Sequence, residues 1–475
     1  MSDATDHTLV LDVGKTNVKL LVLSKAGTIL DVATTSNQSL NGPPYVHLDT
    51  EGVWRWFLAE ARTLASKFEI DAIVSTTHGA AVALVDDRGL VLPVLDYEEP
   101  IPDPVLEAFE KIRPPFEKTQ SPQLPQGVNL GAQLFRLQQE FPDHFERSRW
   151  FLTYPQYMAW RLTGVAASEI TSLGCHSHLW EPNRRRFSTL VDQCGWTERF
   201  APLKPAFEPL GTVLPQIAQQ TGLKPDCRVL SGVHDSNACF ALYLRGHPEA
   251  FSLVSTGTWV VMMSPRLDPA KLRTDRDMLA MVNVLGDPLP TAHFMGGREF
   301  EVLTGHLPTK DFAEQDLRRV IDQESFLLPA FAPGGPFMGA EGKRHGPDPS
   351  EPGEVLAAAT LYLALVTATG LKLLESDGDL IIDGGFVNNL IYCRLLATLC
   401  GHKRCFLNRQ TDGTAIGAGM LAVWRDEKPW PLSLVPVEKL DLPGLEAYAR
   451  TWRRMVGQGR PETSPRKTDR PSLPG

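Results

Sequence analysis

Apolar side chains dominate the run HTLVLDV, pause at Gly14-Lys15-Thr16, and resume in KLLVLS. From Asn17 onward, NVKLLVLSKAGTILDVAT alternates apolar and polar positions around Lys25-Ala26-Gly27, which predicts a second strand and a turn. DAIVSTT and VALVDD read as further strands. EGVWRWFLAEARTLASKF repeats Trp54, Phe57, Leu58 and Leu64 at helical spacing, so the opening half has an α/β pattern. After Arg245-Gly246-His247-Pro248 the pattern starts again: AFSLVSTGTWVVMMS is an apolar strand, a tight Ser-Thr-Gly-Thr turn and another strand. Two domains of one plan account for the repetition. They also account for the length, since 475 residues exceed the roughly 250 to 300 that one core accommodates. The expected division is 7–245, 246–430, and a C-terminal helix with a disordered tail over 431–475, because GQGRPETSPRKTDRPSLPG is proline-rich, polar and aperiodic. A long uncharged and largely apolar run, LAAATLYLALVTATGL from Leu356 to Leu371, falls short of the ~18 to 20 apolar residues of a membrane span and is interrupted by threonines and Gly370. It is expected to be a buried core helix.

A composition of 43% hydrophobic and 22% charged residues fits a globular protein with large cores. The net charge of −9 argues against a nucleic-acid partner, which needs a basic face. Seven cysteines, without CxxC spacing and odd in number, read as reduced cytoplasmic thiols. MSDATDHT has neither a positive leader nor an apolar core, so no signal peptide and no membrane partner are expected.

The candidate chemistry sits at strand ends. Gly14-Lys15-Thr16 is not a P-loop, because the position that motif reserves for its first glycine holds Leu9 and a strand, not a helix, follows. A hairpin turn with backbone amides at Gly14, Lys15 and Thr16, the Thr16 hydroxyl, the Asn17 amide and an ammonium from Lys15 or Lys19 can still bind phosphate. Asp12, just before the turn, can hold Mg²⁺ through water. The turn Ser255-Thr256-Gly257-Thr258 repeats this chemistry, so two hairpins from paired domains can grip a polyphosphate from both sides. In LIIDGGFVNNLIYCRLLATLCG an apolar strand ends in Asp383-Gly384-Gly385, where a flat ring can approach the backbone and Asn388 can bond a nucleoside. Phosphoryl transfer to an alcohol also wants a carboxylate beside the nucleophile. VLSGVHDSNACFALYL offers Asp235 at a helix start, although an aspartate there also serves as a plain N-cap.

Taken in order, Asp12-Val13-Gly14-Lys15-Thr16-Asn17, His78-Gly79, Gly232-Val233-His234-Asp235-Ser236, Ser255-Thr256-Gly257-Thr258-Trp259, Asp383-Gly384-Gly385 and Thr414-Ala415-Ile416-Gly417-Ala418 resemble the FGGY carbohydrate kinases over residues 7 to 425. HDS, STGTW and YMAWRLTGVAASEITS are most similar to the rhamnulokinase and fuculokinase side of that family. The resemblance implies two actin-like (ribonuclease H-like) α/β domains flanking a nucleotide-binding cleft, with ATP and Mg²⁺ as cofactors. It places Asp235 as catalytic base and Asp12 with Asp235 near the metal. Gly14, Lys15, Thr16, Asn17, Gly257, Thr258, Gly384, Gly385 and Asn388 fall on ATP. The sugar falls to His78, Gly79, His234, Ser236 and the group Asp96, Tyr97, Glu98. Which of those last three touches sugar is open, because LPVLDYEEP departs from the relatives' aromatic-then-aspartate order. His78 stands where many relatives have Gln or Trp. Arg298, in HFMGGREFE, reads equally as a cleft residue or as a neighbour of a plain Gly296-Gly297 turn. The implied substrate is a ketose phosphorylated at its primary C1 hydroxyl, L-rhamnulose or L-fuculose first, D-xylulose or D-ribulose as alternatives. An actin-like ATPase motor and a catalytically silent sugar sensor are the rival classes, and a homodimer is the candidate assembly.

Overall fold

The computed structural model describes residues 7–305, 307, 312–401, 404–410, 412–426, 430 and 432–458. Its two large sheets are mixed, one per half of the chain. The first runs in the order Pro209–Thr212, Arg228–Leu230, Ile70–Thr77, His7–Val13, Asn17–Ser24, Ile29–Ser36, with Val233–His234 also pairing with Ile70–Thr77. His7–Val13 and Asn17–Ser24 form the expected antiparallel hairpin, in which Val13 faces Val18 and Asp12 faces Lys19. Parallel pairing then sets Val13 beside Thr77 and Thr77 beside His234. Three strands therefore end side by side, and the residues that follow them, from Gly14, His78 and Asp235, share one edge of the sheet.

The second sheet repeats this plan in the order Met278–Val282, Pro288–Phe294, Val260–Met263, Phe251–Thr256, Asp379–Gly384, Arg404–Asn408, Leu434–Pro436. Phe251–Thr256 is antiparallel to Val260–Met263 and parallel to Asp379–Gly384, with Thr256 opposite Gly384. Ligands of open α/β sheets gather at the carboxyl ends of parallel strands. Here the two halves present those ends to each other.

Two helices, Asp235–Gly246 and Gly413–Met420, lie between the sheets. One continuous apolar cluster joins Val10, Leu21 and Val74 of the first sheet to Leu253, Met263 and Ile381 of the second through these helices. The small residues of Thr414-Ala415-Ile416-Gly417-Ala418 make that packing possible: a Cβ on Gly417 would stand 2.0 Å from the Ala238 carbonyl oxygen. Ion pairs also cross between the halves, Lys19 with Asp412, and Arg185 with Asp287 at 2.6 Å.

Pro352–Leu373 is, as expected, a core helix of the second half, apolar enough to cross a membrane but enclosed by protein. Its threonines are satisfied internally. Thr367 donates to the Leu363 carbonyl at 2.8 Å, and Thr360 accepts from Asn389 Nδ2 at 3.0 Å. Leu445–Gln458 packs onto the same core through buried Trp452, whose indole donates to the Leu327 carbonyl at 2.7 Å. The expected tail beyond this helix lies outside the described residues. All seven cysteines are free thiols.

Candidate active site

The converging strand ends wall a cleft of about 2010 Å³ between the halves. Both predicted phosphate turns line it. Each turn is closed by a backbone bond, Gly14 N–H to the Asn17 carbonyl at 2.9 Å and Gly257 N–H to the Trp259 carbonyl at 2.8 Å. Gly14, Lys15, Thr16, Gly257 and Thr258 face the cleft, whereas Asn17 is exposed outside its lining and bonds Thr16 Oγ1 at 3.1 Å. Behind the second turn lies the N-terminus of Gly296–Thr304. A Cβ on Gly297 would meet the Gly257 carbonyl oxygen at 2.4 Å, so the Gly296-Gly297 pair serves close packing against the turn. Arg298 is directed away from the cleft lining and pairs on the surface with Glu301 at 3.4 Å.

Gly384, Gly385 and Asn388 also line the cleft. Gly384 has φ +90° and ψ −160°, a conformation that only glycine adopts readily, and a Cβ there would lie 2.0 Å from the Thr256 carbonyl oxygen. Thr256 Oγ1 ties the two strands by donating to the Asp383 carbonyl at 2.6 Å and accepting from the Phe386 amide at 3.0 Å. The buried Asp383 carboxylate accepts from Tyr243 at 2.6 Å and from the Gly384 amide at 2.6 Å. These bonds fix the base of the Gly384-Gly385 segment.

Lys15 and Lys19 part company. The Lys15 ammonium lies 2.5 Å from both Asp96 oxygens, 3.4 Å from Glu98 Oε2, and 4.8 Å from the centre of the Tyr97 ring. Lys15 thus belongs by its backbone to the first hairpin turn and by its charge to the Asp96-Tyr97-Glu98 segment. Asp96 is 1% exposed, outside the cleft lining, while Tyr97 and Glu98 face the cleft. Burial pushes the Asp96 carboxyl up, yet hydrogen bonds from Lys15, Ser39 and the Glu98 amide hold it below the usual carboxylate range. It remains the fixed anion that orients Lys15.

At the ends of the parallel strands, His78 and Gly79 meet the pair His234-Asp235. His78 Nδ1 lies 2.8 Å from the Gly79 carbonyl, and its ring packs edge-on against Tyr97 and Tyr154 with centroids 5.5 and 5.6 Å away. Because a carbonyl only accepts, Nδ1 carries the hydrogen; His78 Nε2 is left as a buried acceptor without a partner. Gly79 is required by proximity, since a Cβ would come 2.8 Å from His234 Nε2. His234 in turn receives a bond from Asn237 Nδ2 at Nδ1, 3.2 Å, so Nε2 carries the hydrogen and points at Asp235 Oδ1, 3.2 Å away. Burial lowers the His234 pKa and keeps the ring neutral. Asp235 and Ser236 line the cleft at the start of Asp235–Gly246, with the Ser236 amide donating to Asp235 Oδ1 at 2.6 Å.

Asp12 and Asp235 both line the cleft and lie close enough for their charges to interact. Burial, then the charge of Asp235, raises the Asp12 carboxyl to about 7 against the opposing pull of Lys19, with Asp412 adding to the rise. A carboxyl whose folded pKa exceeds its unfolded value keeps in the fold a proton that the unfolded chain has released. Stability therefore falls as pH climbs from about 4 to about 7. Glu169, raised by burial to about 7, acts in the same direction. Comparison of Asp12→Asn with the unchanged protein isolates Asp12: the melting temperature of the ligand-free protein is expected to drop less between pH 5 and pH 7.5 in the variant. Identical slopes would contradict the Asp12 assignment.

Among the cleft residues that sequence patterns missed are His176, His293 and Asp412. His176 lies in GCHSHLW, an aperiodic stretch without a local cue. Asp412 was accessible in principle, since Asp-Gly before the small-residue helix Gly413–Met420 is a helix-start pattern. Its pairing with Lys19 across the halves was not.

The comparisons with known proteins agree with this geometry. Residues 7–241 match the N-terminal domain of the FGGY family of carbohydrate kinases, and residues 248–429 match the carbohydrate kinase FGGY C-terminal domain. The chain belongs to the FGGY family of carbohydrate kinases. A carbohydrate kinase from Novosphingobium aromaticivorans shares the fold at a TM-score of 0.87 and 36% identity, over 96% of this chain and 99% of that one. The L-fuculokinase of Salmonella typhi is 30% identical over 268 residues, 54% of this chain and 56% of that protein. This FGGY chain thus spans about half the length of the curated relatives it matches. A xylulose kinase from Rhodospirillum rubrum superposes at a TM-score of 0.79 with 18% identity, over 95% of this chain and 98% of that one, a likeness of fold alone.

Proposed function

We propose that the chain is an ATP-dependent sugar kinase that transfers the γ-phosphate to the primary hydroxyl of a ketose, with L-fuculose as first candidate and L-rhamnulose next. The observation that carries this reading is Asp235, held at a helix start by His234 and opposite two glycine-bearing turns from different halves of the chain. In this reading the turns at Gly14–Thr16 and Gly257–Thr258 hold the phosphates through backbone amides and hydroxyls, and Gly384, Gly385 and Asn388 take the adenosine. Tyr97, Glu98, Lys15 and His78 bind the sugar. Asp235 orients the C1 hydroxyl and accepts its proton as the oxygen attacks the γ-phosphorus.

The donor set also suits Mg²⁺. Asp12 and Asp235 are hard oxygen donors, and Mg²⁺ commonly uses one or two carboxylates with waters and phosphate oxygens. Burial, and second the charge of Asp235, raise the Asp12 carboxyl, so a cation there would favour its ionised form. When bound, the metal draws negative charge off the phosphate oxygens. Asp12, through water, and Asp235 are the residues to hold it. No group of three or more His, Cys, Asp or Glu side chains among the described residues forms an all-protein metal cage.

The relatives named L-fuculokinase support a 6-deoxy ketohexose. A methyl contact discriminates by only about 1 to 3 kcal/mol, whereas a site built for a hydroxyl rejects its absence more strongly. In a panel of ketoses, L-fuculose or L-rhamnulose is expected to give the highest kcat/KM. A preference above about tenfold, ~1.4 kcal/mol, for D-xylulose, D-ribulose or glycerol would overturn the substrate while leaving the kinase reading standing.

A further inference from the structure

His176 lines the cleft beside Gly79, at the same strand edge as His78 and His234. Its Nδ1 lies 3.3 Å from the Val128 carbonyl, so Nδ1 carries the hydrogen and Nε2 is a bare acceptor. Burial, with His234 and His293 nearby, pushes His176 down to about 3, so the ring stays neutral. The residue is also held by its backbone. It has φ +39°, in the left-handed region, and its carbonyl accepts from the buried Asn129 Nδ2 at 2.6 Å. A non-glycine residue persists in such a conformation when its surroundings over-determine it, and such residues cluster at ligand clamps. Nothing in the mechanism above uses this ring.

The charges around it point the same way. Three of the cations that line the cleft are already committed: Lys15 to Asp96 and Glu98, Lys19 to Asp412, and Arg113 to Glu110 at 2.9 Å. His176 Nε2 therefore stands in the cleft beside cations that already have carboxylate partners, as an acceptor with no charge of its own.

Resting on the kinase reading, we propose that His176 is a specificity-determining residue whose Nε2 accepts a hydrogen bond from a hydroxyl of the acceptor.

The test uses whichever neutral ketose the unchanged protein phosphorylates. Phosphorylation of none would refute the kinase reading itself, a result distinct from those that follow. Monodeoxy analogues of that ketose, each lacking one hydroxyl other than the phosphorylated one, are compared in the unchanged protein and in His176→Asn. Asparagine tolerates the left-handed backbone, keeps a donor near the Nδ1 position and lacks Nε2. The variant is expected to lose about tenfold in kcat/KM on the parent ketose, mostly in KM, and to treat one analogue as the unchanged protein does. An equal loss on the parent and on every analogue, or no loss on the parent, would overturn the role of His176.

Discussion

Asp235→Asn is expected to lower kcat by about two to four orders of magnitude, the range of a positioned acid–base group, while leaving sugar and nucleotide affinities near their original values. The asparagine is nearly the same size and can still accept from the Ser236 amide, which donates to Asp235 Oδ1 at 2.6 Å. It cannot take the hydroxyl proton. Since His234 Nε2–H points at that same Oδ1, 3.2 Å away, the substituted amide is expected to turn its oxygen toward His234 and its NH₂ toward the cleft. The loss therefore falls on the chemical step. Rapid-quench measurement of a single turnover, with calorimetric titration of both ligands, separates the two effects. Near-normal turnover would remove Asp235 from the role of base.

The second large effect is expected at Gly384. Alanine there meets two obstacles at once: φ +90° with ψ −160° costs a residue with a Cβ on the order of 1 to 3 kcal/mol, and the added carbon would stand 2.0 Å from the Thr256 carbonyl oxygen. Relief requires Asp379–Gly384 and Phe251–Thr256 to separate where Thr256 Oγ1 bridges them. That movement displaces the second phosphate turn and the proposed adenosine segment together. Gly384→Ala is expected to weaken binding of a non-hydrolysable ATP analogue by more than about tenfold, a change of ~1.4 kcal/mol, and to leave sugar binding to the first half unchanged. Calorimetry with each ligand alone distinguishes this from global unfolding, which would abolish both. Undiminished nucleotide affinity would move adenosine away from this segment.

Much of the fold was legible in the sequence because it is written in local patterns. The two hairpins were visible from alternation around a glycine turn, and the helix around Leu356 from a long apolar run. The repetition after residue 246 reflects two sheets with the same order of a hairpin followed by parallel strands. What stayed hidden depends on contacts distant in sequence. Lys15 is adjacent to Gly14 in a phosphate turn, yet its ammonium is claimed by Asp96, 81 residues away. Among Asp96, Tyr97 and Glu98, burial separates residues that sequence treats alike: the folded turn buries Asp96 and leaves its two neighbours lining the cleft. His176 carries no motif at all. Its place is set by Asn129 and Val128, which no periodicity connects to it.

The central claim is that this cleft couples ATP to a sugar hydroxyl, as distinct from driving a motor or sensing a sugar without turnover. The most direct measurement is the stoichiometry of ADP and sugar phosphate formed from ATP and L-fuculose, followed by phosphorus NMR. The account predicts one C1-phosphorylated ketose for each ADP and negligible ADP without sugar. ADP formed without sugar phosphate, or sugar binding with neither product across the ketose panel, would contradict it.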